Sequence, residues 1–195
     1  MKMFALVLAL MVPCLAAGPD SKSVGNPAAP MRMDLWDDFT CPHCKHFREQ
    51  ILSKITADYV TPGKAYLVFH EFTLTGPGHE HSKTASMYAA AAAHVGKYQQ
   101  VADALFLTQS SWAVTGKVWE AMSPALTAVE QKKVQVLMLD PTVAAEVQHD
   151  LELGMAAHVN QTPTVVLTRK GKQTPWSSWT DYGLFQSMVD LLLSK

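Results

Sequence analysis

No run of like charge stands out in this 195-residue sequence: 16 basic and 17 acidic residues leave a net charge of -1, and neither sign forms a block suited to nucleic acid or an anionic membrane. Internal repeats and low-complexity tracts are absent too, which excludes an array of repeated units; the Ala89 to Ala93 run is ordinary helix. The apolar run from Met3 to Val12 falls well short of the about 20 residues a membrane-spanning helix needs. Cysteine is scarce as well, with Cys14, Cys41 and Cys44 the only three, too few for a fold held together by bridges. What remains is a hydrophobic content of 48% and five tryptophans, enough for one sizeable core with room for an inserted subdomain but not for two large independent domains.

The first residues have the layout of a secretory leader: Met1-Lys2, the apolar run, then Pro13, Cys14 and the small residues Ala16, Ala17 and Gly18. Residues 1–17 are therefore expected to be a signal peptide, with an uncleaved anchor or a buried helix as the alternative. Acylation at Cys14 is disfavoured by Pro13, since that processing calls for a small unbranched residue before the cysteine. Cleavage near Ala17 leaves Cys41 and Cys44 as the cysteines of the mature chain, with one possible pairing. A bridge closing so short a loop constrains the unfolded chain weakly, so the pair is better explained by chemistry than as a staple.

Residues 18–30 read as an extended lead-in without packed structure, because Gly25, Pro27 and Pro30 lie among small polar residues. Met31 to Trp36 reads as a strand, Cys41 to Tyr59 as a helix with Phe47, Ile51, Ile55 and Tyr59 inward, and Ala65 to Phe72 as a second strand parallel to the first. Residues 79–158, rich in Ala, Met, Leu, Gln and Lys, read as a block of four helices broken at Gly96, around Ser110 to Gly116, and at Pro124 and Pro141. Thr164 to Thr168 is then a strand, Arg169 to Lys172 a tight turn, Gln173 to Trp179 its antiparallel partner, and Tyr182 to Leu193 a helix with Leu184, Met188 and Leu191 or Leu192 inward. The expected division is 31–78 and 159–195 for the two parts of one α/β domain, with 79–158 inserted between them.

Cys41-Pro42-His43-Cys44 falls between a strand and a helix, and each position suits a reactive thiol. A thiolate at a helix N-terminus meets unpaired backbone N–H groups and the positive end of the helix dipole. Pro42 fits the first helical position, where no N–H is needed, and His43 places an imidazole beside the sulfur. Cys44, three residues on, lies on the same helical face within bridging distance but deeper, which makes Cys41 the attacking and Cys44 the resolving thiol.

Asp38-Phe39-Thr40-Cys41-Pro42-His43-Cys44, preceded by Gly25-Asn26-Pro27-Ala28-Ala29-Pro30, resembles the active-site region of the DsbA-like family of bacterial thiol:disulfide oxidoreductases. Gln161-Thr162-Pro163-Thr164 is similar to the loop in which thioredoxin-fold proteins keep a cis proline against the redox pair, and Lys97 to Gln109 is similar to a segment of the family's helical insertion. The resemblance spans residues 25–193. It implies a thioredoxin-like α/β fold with an inserted helical subdomain, and an exported enzyme whose Cys41 forms a mixed disulfide with substrate while Thr162 and Pro163 hold the substrate backbone. It also implies no cofactor, folding exported proteins as substrates and a membrane redox partner such as a quinone-linked oxidase; the leader adds a periplasmic or otherwise extracytoplasmic location, and the short segment before Met31 a monomer. The family often carries an acid six positions before its first cysteine; that position is Leu35, leaving Asp37, Asp38 or Glu71 as candidates to move the proton of the resolving thiol.

The cysteines admit two other readings. Zinc needs four ligands, and only His79 and His81 offer a compact second pair, in a Gly-rich loop that reads better as a solvated start to a helix. A thioredoxin-fold binding or chaperone module would keep the groove without using the cysteines, whereas the intact pair and the Thr-Pro loop favour an enzyme. Within the enzymes, a disulfide isomerase or reductase is the runner-up; residues 19–30 are too few for the separate dimerisation domain that dimeric isomerases carry.

Overall fold

The computed structural model describes residues 21–178 and 180–194. The expected leader, with Cys14, lies outside them. Among the described residues, five strands form one sheet in the order β1-β3-β2-β4-β5, with β1 Ser23–Gly25, β2 Met31–Asp37, β3 Ala65–Glu71, β4 Thr164–Arg169 and β5 Lys172–Trp176. Only β2 and β3 run parallel, as their joining helix requires; the other pairs are antiparallel. The 18–30 lead-in is corrected at this point, because β1 adds to the sheet edge beside β3 and Ser21 donates to the Ala93 carbonyl at 2.7 Å. Three residues carry too little periodicity to announce a strand; the open edge of β3 made it one.

Between β2 and β3 the chain is helical from Pro42 to Val60, as α1 Pro42–Phe47, a π turn Arg48–Leu52, α2 Ser53–Ile55 and a second π turn Thr56–Val60. Phe47, Ile51, Ile55 and Tyr59 are all buried, as expected. Their spacing of four would drift about 40° per step around an ideal α-helix of 3.6 residues per turn, and the wider π turns offset that drift.

The helical block lies between β3 and β4 and contains six α-helices rather than four: α3 Ser82–Ala93, α4 Tyr98–Leu107, α5 Gln109–Thr115, α6 Val118–Met122, α7 Ala128–Leu137 and α8 Pro141–Ala156. The expected break at 110–116 is itself helical and ends at Gly116, in left-handed backbone at φ 73°. Trp112 and Met122 are fully buried, so tertiary packing sustains helices too short to stand alone. Thr127 and Glu130 cap α7 reciprocally, and Asp140 with Pro141 starts α8.

Odd-numbered residues of β2, namely Met31, Met33 and Leu35, join the main core with Phe47, Ile55 and Tyr59. The even side carries Trp36, which packs with Val159 and Val166 beneath α8. There α8 comes so close that a Cβ on Gly154 would lie 2.8 Å from both the Phe72 and Trp36 side chains. The β4-β5 turn puts Lys170 (φ 47°) and Gly171 (φ 76°) in left-handed backbone, as a two-residue hairpin requires. The last helix, α9 Tyr182–Leu193, turns Phe185 and Val189 inward, with Met188 and Leu192 partly buried. Leu184 is more than half exposed, which corrects that expected contact; of the Leu191 and Leu192 alternatives, Leu192 packs and Leu191 faces out. Every third or fourth position of that helix is apolar on more than one face, and docking against Tyr59 and Trp176 chose the face.

Candidate active site

The turn from β2 into α1 is organised by Asp38, a fully buried carboxylate. It accepts from the Thr40 N–H at 2.7 Å, the Thr40 hydroxyl, the Leu74 N–H at 2.9 Å and the Ser82 hydroxyl. His79 Nδ1 lies 2.6 Å from the same Thr40 hydroxyl. The local Asx geometry aims the chain so that Cys41 becomes the N-cap of α1, its own carbonyl accepting from the N–H groups of Cys44 and Lys45 at 3.1 and 3.2 Å. Pro42 takes the first helical position, as expected.

Cys41 and Cys44 are both free thiols, the first 5% exposed and the second fully enclosed. Hydrogen bonding from the Cys44 thiol, helped by the Thr162 hydroxyl and the backbone N–H groups of Cys44 and His43, outweighs burial and lowers the Cys41 pKa to about 6. Burial pushes the Cys44 thiol well above its ordinary value, with the bond to Cys41 and the charge of Asp37 adding to it. Pro42 and His43 are exposed at the rim; among the groups that favour the Cys41 thiolate, His43 supplies its backbone N–H.

Opposite Cys41 stands the expected loop. The Thr162-Pro163 peptide is cis, both residues are buried, and the Cys41 thiol donates to the Thr162 carbonyl at 3.5 Å. The Thr162 hydroxyl is buried and makes no full hydrogen bond, so it acts on the Cys41 sulfur as a nearby dipole. The structure thus brings all six expected residues, Cys41, Pro42, His43, Cys44, Thr162 and Pro163, to one place.

Leu35 is a core residue, as its type demands. Two positions further along the same face of β2 lies Asp37, fully buried, with Oδ2 accepting from Arg48 Nε at 3.0 Å and Oδ1 buried without a partner. Burial raises its pKa despite Arg48. Arg48 follows Cys44 by one helical turn and is sandwiched between Phe69 and Phe106, at 4.9 and 4.7 Å from the ring centres. Glu71, level with Asp37 on β3, is instead bonded to Lys22, which also holds Asp150; His70 links Asp150 to Asp34. Among the three candidate acids, Asp37 is the one whose charge reaches the Cys44 sulfur.

His79 joins the active-site turn through Thr40, while the His81 ring lies against Gly116. Among the described residues no three His, Cys, Asp or Glu side chains converge as a metal site. Two contacts had no signal in the sequence: Arg48 beneath the pair, and Gln109, which binds the Cys41 carbonyl from the helical block.

Comparison with known proteins agrees with this geometry. A family model described as "Thioredoxin" matches residues 18–180. "Disulfide bond formation protein D" of Bacillus subtilis is 23% identical over 156 residues, which cover 75% of this chain and 67% of that protein. Among solved structures, α-DsbA1 of Wolbachia pipientis superposes with a TM-score of 0.71 at 20% identity, covering 92% of this chain and 94% of that one. A thioredoxin-like oxidoreductase from Silicibacter pomeroyi gives 0.69 at 25% identity, covering 92% and 99%. By the extent of the family match the chain belongs to the thioredoxin family, with the cysteine pair and cis-proline loop in place within a fold like that of the DsbA structures.

Proposed function

We propose that the protein is exported and passes a disulfide to folding exported proteins through Cys41 and Cys44. A substrate thiolate attacks the Cys41 sulfur, the bond to Cys44 breaks, and a mixed disulfide joins substrate to Cys41. A second substrate thiolate then attacks the substrate sulfur of that bond, and Cys41 leaves as a thiolate. The substrate ends with a disulfide, two electrons poorer, and the pair ends reduced, with the proton taken up at Cys44.

The opposite displacement of the two thiols carries this reading. A Cys41 pKa of about 6 makes that sulfur a good leaving group at neutral pH, while the raised Cys44 pKa keeps that thiol protonated once it has left. Asp37, buried beside Cys44 and itself raised, is the group suited to supply that proton. Thr162 and Pro163 form the wall on which a substrate strand lies; proline has no N–H to compete for substrate carbonyls. The leader-like residues 1–17 support export to the periplasm, and the reduced pair then needs a membrane partner, such as a quinone-linked oxidase, to accept its electrons. A monomer suffices for this cycle.

Trapping tests it. In cells, a Cys44→Ala variant accumulates mixed disulfides with exported proteins through Cys41, and the adducts vanish when Cys41 is also replaced. Their absence under oxidising conditions sinks the reading in favour of a non-catalytic module. A reduction potential near the about -270 mV of thioredoxin, rather than the about -120 mV of DsbA, reverses the direction to reductase or isomerase.

A further inference from the structure

Gln109 opens α5, is 5% exposed, and lies 68 residues beyond Cys41 in the chain. Its Nε2 donates to the Phe39 carbonyl at 2.7 Å and to the Cys41 carbonyl at 3.0 Å. An amide nitrogen has two protons, so both are committed to the carbonyls on either side of Thr40. From the other direction Thr40 is held by Asp38 and His79, and Asp38 in turn by Leu74 and Ser82, the latter at the start of α3. Lys45 adds a bond to the Phe106 carbonyl at 2.8 Å. The redox turn is therefore gripped from two sides by segments that lead into or belong to the helical block.

We propose that Gln109 is a positioning residue for Cys41, through which the helical block sets the redox behaviour of the pair; this rests on Cys41 being the attacking thiol. The Cys41 carbonyl also accepts from the N–H groups of Cys44 and Lys45, so its direction fixes the first turn of α1. That turn presents the His43 and Cys44 N–H groups that favour the thiolate. In addition, the Gln109 amide brings the positive end of its dipole to the Cys41 peptide. Both effects favour a charged sulfur, and the disulfide, which has no charge at Cys41, gains nothing from them. A contact that merely held the fold would support both redox forms alike.

Gln109→Met keeps nearly the same size and removes both donors. Alkylation of the reduced variant against pH shows Cys41 titrating higher than in the unchanged protein, and its equilibrium with glutathione moves toward a more reducing pair by about tenfold, or 30 mV. Gln109→Glu, which turns a carboxylate toward two carbonyls, shifts both further the same way. Equal losses of melting temperature in the two redox forms, with the Cys41 titration and the glutathione equilibrium unmoved, overturn the proposal and leave Gln109 a scaffold residue. Should either variant fail to fold, NMR of the unchanged protein decides: the Gln109 side-chain amide resonances follow the Cys41 titration, and resonances that stay still through it refute the coupling. An unchanged protein whose Cys41 titrates as an ordinary thiol refutes the proposed function itself; a low titration that the variants share refutes only the role of Gln109.

Discussion

Consider the folding stability of the reduced protein relative to the oxidised one as pH changes. Only the reduced form carries a Cys41 thiol, with a pKa lowered from the ordinary 9.0 to about 6. A thiol that is more acidic in the folded chain stabilises it in full above the unfolded value, and that stability is lost as pH falls through the folded value. At pH 5 the contribution is close to nil. Between pH 5 and pH 8 it grows to about 2 kcal/mol, at 1.36 kcal/mol per pKa unit and after allowance for solvent screening at the mouth of the cleft. Cys44, displaced upward and enclosed, stays protonated across this window. The titrations of groups away from the pair, including the buried His70 raised by Asp150 and Asp34 against the effect of burial, are common to both redox forms and cancel in the difference, so the comparison is read in the parent and in Asp37→Asn to separate the acid coupled to Cys44. Denaturant unfolding of both forms at pH 5 and pH 8 measures that difference directly. A difference that stays flat, or one that turns toward the oxidised form as pH rises, refutes a depressed Cys41 and with it the account of why this sulfur leaves easily.

Asp38→Ala strands four donors at once and is expected to cost about 3–5 kcal/mol, lowering the melting temperature by roughly 10 °C; a melt within two or three degrees of the parent contradicts the role given to this turn. Asp37→Asn removes the proton-bearing group beside Cys44 and leaves the buried Arg48 with the exposed Asp103, 3.8 Å away, as its remaining carboxylate partner, so stability falls by about 3 kcal/mol and the pH dependence of disulfide reduction flattens. Stopped-flow reduction by dithiothreitol over a range of pH checks it, and a profile superposing on the parent removes Asp37 from the mechanism. His43→Ala keeps the backbone N–H that faces Cys41, so the Cys41 titration moves up by less than in Gln109→Met; the reverse order would assign the effect to the imidazole.

Much of this protein was legible in the residues alone because the features concerned are local. A proline at the first helical position, a helix dipole behind it and a second cysteine three residues on are properties of a short segment, and they place Cys41 and Cys44 in any fold that honours them. The four-residue apolar spacing from Phe47 to Tyr59 and the Lys170-Gly171 turn are of the same kind. Tertiary structure decided what depends on partners distant in the chain. Ser23–Gly25 became a strand because β3 had an open edge, and α5 and α6 formed because Trp112 and Met122 found a core. Phe185 rather than Leu184 turned inward because Tyr59 and Trp176 were there to meet it. The same holds for the chemistry: an apolar residue at position 35 says nothing of which acid replaces it, and that Asp37 is the acid whose charge reaches Cys44 emerges only once β2 carries it to the core face, where Arg48 holds it. Gln109 is the extreme case, a polar residue in a helical segment whose two protons acquire meaning only when folding carries them across 68 residues to the carbonyl of Cys41.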